Sequence, residues 1–217
     1  MNHVKNHLYE QVARIGRAVA SPKRLEFIEL LCQGEKSVEV LAAQAEISVK
    51  LASAHLKQLR LARLVETRKE GKYVLYRLAG TGVADLWVML RSAAEERLVE
   101  LQVALSSIVE HRSELQALDR KTILKKAAAG DVLVLDVRPA DEFATAHLPH
   151  ARSLPLGDLR KRLARLPKDL PVVAYCRGPF CLMARDAVRI LRNKGYHAFH
   201  LTDGVAEWRA HGLPIEA

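Results

Sequence analysis

Two cysteines five positions apart, Cys176 and Cys181, are the residues of this chain best suited to chemistry. They bracket the run Cys176-Arg177-Gly178-Pro179-Phe180-Cys181. Cys176 ends an apolar, β-prone stretch, PVVAYC, and an amphipathic helix is expected from about Leu182. A tight loop between a strand end and a helix start turns backbone N–H groups and the positive end of the helix dipole onto its contents. A thiol there is favoured as thiolate, and a persulfide as its anion. Cys181 supplies a second thiol able to attack a persulfide on Cys176. A direct disulfide needs Cα atoms within about 7 Å. The ends of such a loop fit one or more bridging sulfurs better, and both outcomes stay open. The plainer alternatives are an inert, buried Cys176 and a Cys181 that fills apolar space under the loop. Arg177 is placed to steer an anionic sulfur donor such as thiosulfate or a polysulfide.

These residues need a scaffold, and the flanking pattern supplies one. DVLVLDVR (131–138) and PVVAYC (171–176) read as strands buried on both faces. Helices are expected near 140–145, 157–166, 182–194 and 204–211, with further strands near Ala151–Leu154 and Ala198–Leu201. Alternation of strand and helix argues for an α/β domain with a parallel sheet covered on both sides.

Three segments in that order, VLDVRPADEFATAHLPHARSLPL, VVAYCRGPFCLMARDAVRIL and LTDGVAEWRAHGLP, resemble a single rhodanese-like domain over residues 119–217. The resemblance implies a sulfane sulfur carried covalently on Cys176, with no other cofactor. It places Gly178, Pro179, Phe180 and Leu182 in the active-site loop. Asp136, Arg138, Glu142 and His147 become framework residues that fix loops, and Asp203 and Trp208 cap and pack the last helix. The loop departs from phosphatase-like and arsenate-reductase-like members of this fold, which close it with arginine. Leucine at 182 leaves a tetrahedral oxyanion without its fork of donors.

The first 80 residues carry helical signals near 7–19, from Ser21-Pro22 to about Gly34, at 37–45 and at 48–62. A hairpin follows, with Arg68, Lys69, Glu70, Gly71 and Lys72 at its tip. SPKRLEFIELL, SVEVLAAQAEISVKLASAHLKQLRLARLV and RKEGKYVLYRLA resemble the winged helix-turn-helix of the ArsR/SmtB family, with the resemblance reaching over about residues 7–118. It makes 48–62 the recognition helix, with Ser48, Lys50, Leu51, Ser53, Ala54 and His55 toward the major groove. Lys57 and Arg60 would meet phosphates, and Arg68, Lys69 and Lys72 phosphate or the minor groove. Where the family has glycine before the wing, this chain has Arg63, which either strains the turn or adds a phosphate contact. The thiolate pair of metal-sensing members is absent: the matching segment is Ser37-Val38-Glu39-Val40-Leu41. Cys32 reads as core packing, and Asp85, Glu95, Glu96, Glu100 and His111 lack the clustered spacing of a metal site.

Residues 81–118 read as one long helix, with Leu98, Leu101, Leu105, Ile108 and Leu115 at 3/4 spacing and Arg112 breaking the stripe. Such a seam calls for a second copy of the chain, or else packing against the C-terminal domain. The expected division is therefore a mainly α DNA-binding and dimerisation domain over 1–118 and an α/β domain over 119–217. The net charge of +9 is split as +6 over 1–80, −3 over 81–118 and +6 over 119–217. A basic N-terminal third suits a polyanionic partner such as duplex DNA. No apolar run approaches a membrane span, the N-terminus has no signal-peptide pattern, and three cysteines do not make a disulfide framework. A reducing cytoplasm is expected. The favoured function is a homodimeric transcriptional repressor released by persulfide or polysulfide. The alternatives are a thiosulfate or persulfide sulfurtransferase carrying a winged helix, and an arsenic- or redox-responsive regulator using the same thiols.

Overall fold

The computed structural model describes residues 2–108 and 119–217. These fall into two compact units, Met1–Met89 and Leu90–Ala217.

In the first unit, helices α1 (Asn2–Val19), α2 (Pro22–Leu31), α3 (Val38–Gln44) and α4 (Val49–Leu61) precede a hairpin of β2 (Val65–Glu70) and β3 (Tyr73–Leu78). Each helix start has a local cause. Pro22 has no N–H to lose in the first turn of α2. Ser37 and Ser48 accept the backbone N–H groups of Val40 and Leu51, capping α3 and α4. Phe27, Ile28, Leu41, Leu56 and Leu59 form the buried centre. Arg63 leaves α4 in the left-handed region with φ 59°, so the arginine adopts the turn that glycine would adopt more easily. The hairpin turns at Gly71, φ 58°, between the paired residues Glu70 and Tyr73. A two-residue strand, β1 (Lys36–Ser37), pairs antiparallel with β3 at Leu75 and Tyr76, an edge the sequence did not signal.

Helix α5 (Thr81–Arg97) starts in the first unit and ends in the second, and α6 (Val99–Ile108) follows. The expected single helix over 81–118 is thus interrupted at Leu98. The Gln102 side-chain amide donates to the carbonyls of Glu95 and Glu96 at 2.8 and 3.3 Å, satisfying acceptors at the interruption. His111, Arg112 and Leu115 lie outside the described residues. Val4, Leu8, Tyr9 and Val12 on α1 are exposed, as are Leu98, Val99 and Val103 around the break.

In the second unit, α7 (Arg120–Ala129) leads into a four-stranded parallel sheet, ordered β5 (Arg152–Ser153), β4 (Leu133–Asp136), β6 (Val172–Tyr175), β7 (Ala198–His200). Helices α8 (Ala140–Thr145), α9 (Leu156–Arg162), α10 (Met183–Arg192) and α11 (Val205–Ala210) connect and cover it. Alternation of side chains along the central strands builds two cores. Leu133, Leu135, Val172 and Ala174 meet Leu159 of α9 and Ala184, Ala187 and Leu191 of α10. Val134, Val173 and Tyr175 meet Ile123 of α7 and Val205 and Trp208 of α11. Cys176 continues the face of Val172 and Ala174, toward α10.

Candidate functional site

Cys176 leaves the end of β6 and is only 1% exposed, while Cys181, at the far end of the loop, is half-buried. The Cys176 thiol donates to the Cys181 carbonyl at 3.3 Å. Backbone N–H groups of Gly178 and Ala184 point at the Cys176 sulfur, and those of Arg177 and Met183 at the Cys181 sulfur. Two sulfurs thus share a ring of loop and helix-start amides, a setting that stabilises one negative charge. Burial pushes the Cys176 thiol up. The hydrogen bond from Cys176, with the two amides and the Arg177 charge, brings Cys181 down to about 6. Within the pair, the loop amides and the Arg177 charge favour an anion at Cys181, while burial opposes one at Cys176.

Three supports hold the loop. Arg177 forks onto Glu142, Nε to Oε2 at 3.0 Å and Nη2 to Oε1 at 2.7 Å, so two of its donors serve a buried carboxylate while its charge still acts on the Cys181 sulfur. Gly204 closes in from the next connection: a Cβ there would lie 2.5 Å from the Arg177 carbonyl oxygen and 2.8 Å from that of Cys176. Beneath Gly178, φ 150°, lies the Glu207 carboxylate, 3.2 Å from where a Cβ would sit. Glu207 also accepts the Gly204 N–H at 2.6 Å and pairs with Arg91 at 2.6 Å, both acid and base being almost fully buried. The Arg91 guanidinium lies 5.9 Å from the Phe180 ring centre. Pro179 completes the turn, and Leu182 stands exposed at the start of α10.

Asp136 and Arg138 form a buried framework pair, with Arg138 Nη2 on Asp136 Oδ2 at 2.6 Å and on the Ala146 carbonyl at 2.7 Å. Tyr175 donates its hydroxyl to Asp136 and accepts the Leu148 N–H. His147 stacks on Phe143, with Nδ1 2.9 Å from the Phe143 carbonyl and Nε2 3.5 Å from Glu216. Asp203 does not cap the last helix. It pairs with Arg120 at 2.5 Å, and Glu207, reaching back to Gly204, does the capping. Trp208 packs into the core, as expected.

On α4, Ser48, Lys50, Leu51, Ser53, Ala54, Lys57 and Arg60 are exposed on the face opposite Ala52, Leu56 and Leu59. His55 is half-buried, its ring edge-on to Phe27 at 6.2 Å, and burial beside Arg24 and Lys23 pushes it toward the neutral form. It packs α4 on the core instead of joining the exposed face. At the wing, Arg68 pairs with Glu35 at 2.5 Å and Glu70 at 2.7 Å, while Lys69 and Lys72 are exposed. Lys72 leans on the Tyr73 ring at 5.3 Å. Among the described residues, no group of three or more His, Cys, Asp or Glu is gathered as a metal site, and no helix is long and apolar enough to cross a membrane.

Sequence reasoning missed Arg91, Gly204 and Glu207 as loop supports. Gly204 stood inside the segment LTDGVAEWRAHGLP, but Arg91 and Glu207 are 116 positions apart, and no local pattern announces their pairing.

Residues 119–211 match the rhodanese-like domain model, and residues 21–67 match the bacterial regulatory protein model of the arsR family. The chain is 42% identical over 212 residues to the HTH-type transcriptional regulator Rv0324 of Mycobacterium tuberculosis, covering 98% of this chain and 93% of that one. It is 38% identical over 88 residues to a sulfurtransferase of Allochromatium vinosum, 40% of this chain and 80% of that one. A solved homodimeric winged helix-turn-helix DNA-binding domain from Mycobacterium bovis, of a "possible ArsR-family transcriptional regulator", is 38% identical with a TM-score of 0.42, covering 50% of this chain and 94% of that fragment.

Proposed function

Because the chain belongs to the ArsR family of bacterial transcriptional regulators and carries a rhodanese-like domain, we propose that it is a repressor released from its operator by sulfane sulfur captured at the Cys176–Cys181 pair. The observation that carries this reading is the pair of loop thiols, with Cys176 on the Cys181 carbonyl at 3.3 Å and loop and helix-start amides favouring an anion there, in a chain whose α4 also presents an exposed polar and basic face. Ser48, Lys50, Leu51, Ser53 and Ala54 read the major groove, Leu51 as an apolar contact of the kind thymine methyls make. Lys57, Arg60, Lys69 and Lys72 hold phosphates. A homodimer forms through the 81–118 segment, and a second copy covers exposed apolar residues such as Val4, Leu8, Val99 and Val103. The ligand is a persulfide or polysulfide, and it acts only if the loaded and unloaded proteins differ in DNA affinity.

The test is a gel shift on an operator selected from random-sequence DNA, before and after inorganic polysulfide, with peptide mass spectrometry on the same samples. Wild-type protein is expected to lose at least about tenfold in affinity, within the usual range of allosteric coupling, and to recover it on reduction with dithiothreitol. The double variant Cys176→Ser/Cys181→Ser should bind throughout. Release of that variant by polysulfide would remove the thiol pair from the mechanism. The kinship with a sulfurtransferase favours a second reading, turnover of thiosulfate to cyanide without any change in DNA binding.

A further inference from the structure

We infer that the outer face of α9 and α10 is a further nucleic-acid contact, one that holds the phosphates of duplex DNA without reading its sequence. It adds to the DNA-binding reading above and leaves the thiols aside. The positive charge of the rhodanese-like unit is concentrated there. Residues 156–194 hold ten basic and three acidic side chains, a balance of +7, while the remainder of 119–217 holds seven basic and eight acidic ones. Soluble surfaces ordinarily intersperse both signs, so a one-sided face of this size creates a field that draws polyanions. Folding turns the charges outward. Leu159 and Leu163 are buried under α9 and the short 3-10 helix that extends it (Leu163–Arg165), and Arg160, Lys161, Arg162 and Arg165 stand exposed around them. On α10, which packs beside α9, Ala184, Ala187, Val188 and Leu191 face the core. Arg185, Arg189 and Arg192 follow at spacings of four and three, one stripe about 10 Å long at 1.5 Å per residue.

Little within the protein answers this charge. Glu142 engages Arg177, Asp158 lies 4.0 Å from Arg162, and Asp186 is shared by Arg185 at 3.6 Å and Arg189 at 3.2 Å. Among the described residues, Arg160, Lys161, Arg165 and Lys194 form no ion pair. The class of partner follows from the kind of surface. Within 156–194 the large apolar side chain that stands exposed is Leu182, at the loop end of α10. Single-stranded nucleic acid is held by bases stacked on exposed aromatic rings, a protein partner by an apolar centre, and a membrane surface by inserted apolar residues. Charge without such a centre suits the phosphate backbone of a duplex, where displaced counterions supply the driving force. The same chain carries a winged helix-turn-helix of the arsR family, so duplex DNA is the polyanion at hand.

Binding of the full-length protein to a random-sequence duplex of about 60 base pairs is followed by fluorescence anisotropy between roughly 50 and 300 mM NaCl, a range that resolves counterion release. Arg160→Gln/Lys161→Gln/Arg165→Gln removes three exposed charges and keeps Leu159 and Leu163 in place. It should lower the slope of log affinity against log salt by about 2 to 3, at about 0.9 per phosphate, and weaken binding at least about tenfold at roughly 150 mM. Arg160→Lys/Arg165→Lys keeps the charge and should keep the slope. Arg189→Gln/Lys194→Gln tests α10 independently and should lower the slope by about 1 to 2. A slope undiminished in both glutamine variants, with binding by the parent intact, overturns this face alone. A slope that falls on a single-stranded RNA of equal length and holds on the duplex overturns the assignment to DNA. A parent protein that binds no duplex at any of these salt concentrations overturns the DNA-binding reading, and this contact with it.

Discussion

Arg91 Nη1 donates to Glu207 Oε1 at 2.6 Å, with 3% and 2% of their side chains exposed. The pair adjoins the thiol loop through Gly178 and Phe180, and Glu207 also holds the Gly204 N–H. Burying a carboxylate is costly unless it is partnered, and here a base and an amide answer it. Arg91→Met leaves the charge of Glu207 without its counter-ion and should cost about 3–5 kcal/mol. A drop in the denaturant midpoint, read by circular dichroism, checks this. Arg91→Met/Glu207→Gln removes both charges and should recover part of the loss. A double variant no more stable than the single one would mean that packing, and not the charge pair, sets the cost.

The wing gives a prediction whose sign is set by neighbours. Arg68 faces Glu35 and Glu70, so its positive charge is largely answered within the protein. Lys69 and Lys72 are exposed at the tip. Lys69→Met should weaken binding to specific and nonspecific DNA alike and lower the slope of log affinity against log salt by about 1. Arg68→Met should change that slope by much less. A larger effect from Arg68 than from Lys69, in a salt titration by fluorescence anisotropy, would place the DNA on the other side of the wing.

Most of this architecture is legible in the residue pattern because local chemistry dictates it. Serine caps, Pro22 and the 3/4 spacing of Leu56 and Leu59 define the helix-turn-helix, and the apolar runs through Val134 and Val173 define buried strands. Helix α7 escaped notice although Asp119 caps it and Gly130, φ 78°, ends it, since Lys125, Lys126 and three alanines dilute its apolar stripe. Long-range partners escaped for a different reason. Arg177 finds Glu142 and Arg120 finds Asp203 across 35 and 83 positions, distances at which spacing in sequence carries no geometric information. His55 shows the same limit on a small scale: its helical register places it at the edge of the exposed face, and only the neighbouring Phe27 ring draws it inward.

His200 sets the response to acid. It ends β7 with 6% of its surface exposed, pairs through its backbone with the Ala174 position of β6, and has no hydrogen-bond partner among the described residues on either ring nitrogen. Burial, with the positive charge of Arg185 nearby, lowers it to about 4 from an ordinary 6.5. The unfolded chain therefore binds a proton at this residue in a pH window where the folded protein refuses it. Stability from this source is whole above about pH 6.5 and is lost progressively as the pH falls toward 4. His200→Phe removes the titrating ring but keeps an aromatic body in the space. Thermal unfolding followed between pH 8 and 4 should then show a shallower fall for the variant than for the parent protein, with the two curves parallel above pH 7. Curves that stay parallel down to pH 4 would mean that the ring finds a partner or water as it charges, and that His200 does not set the acid limit.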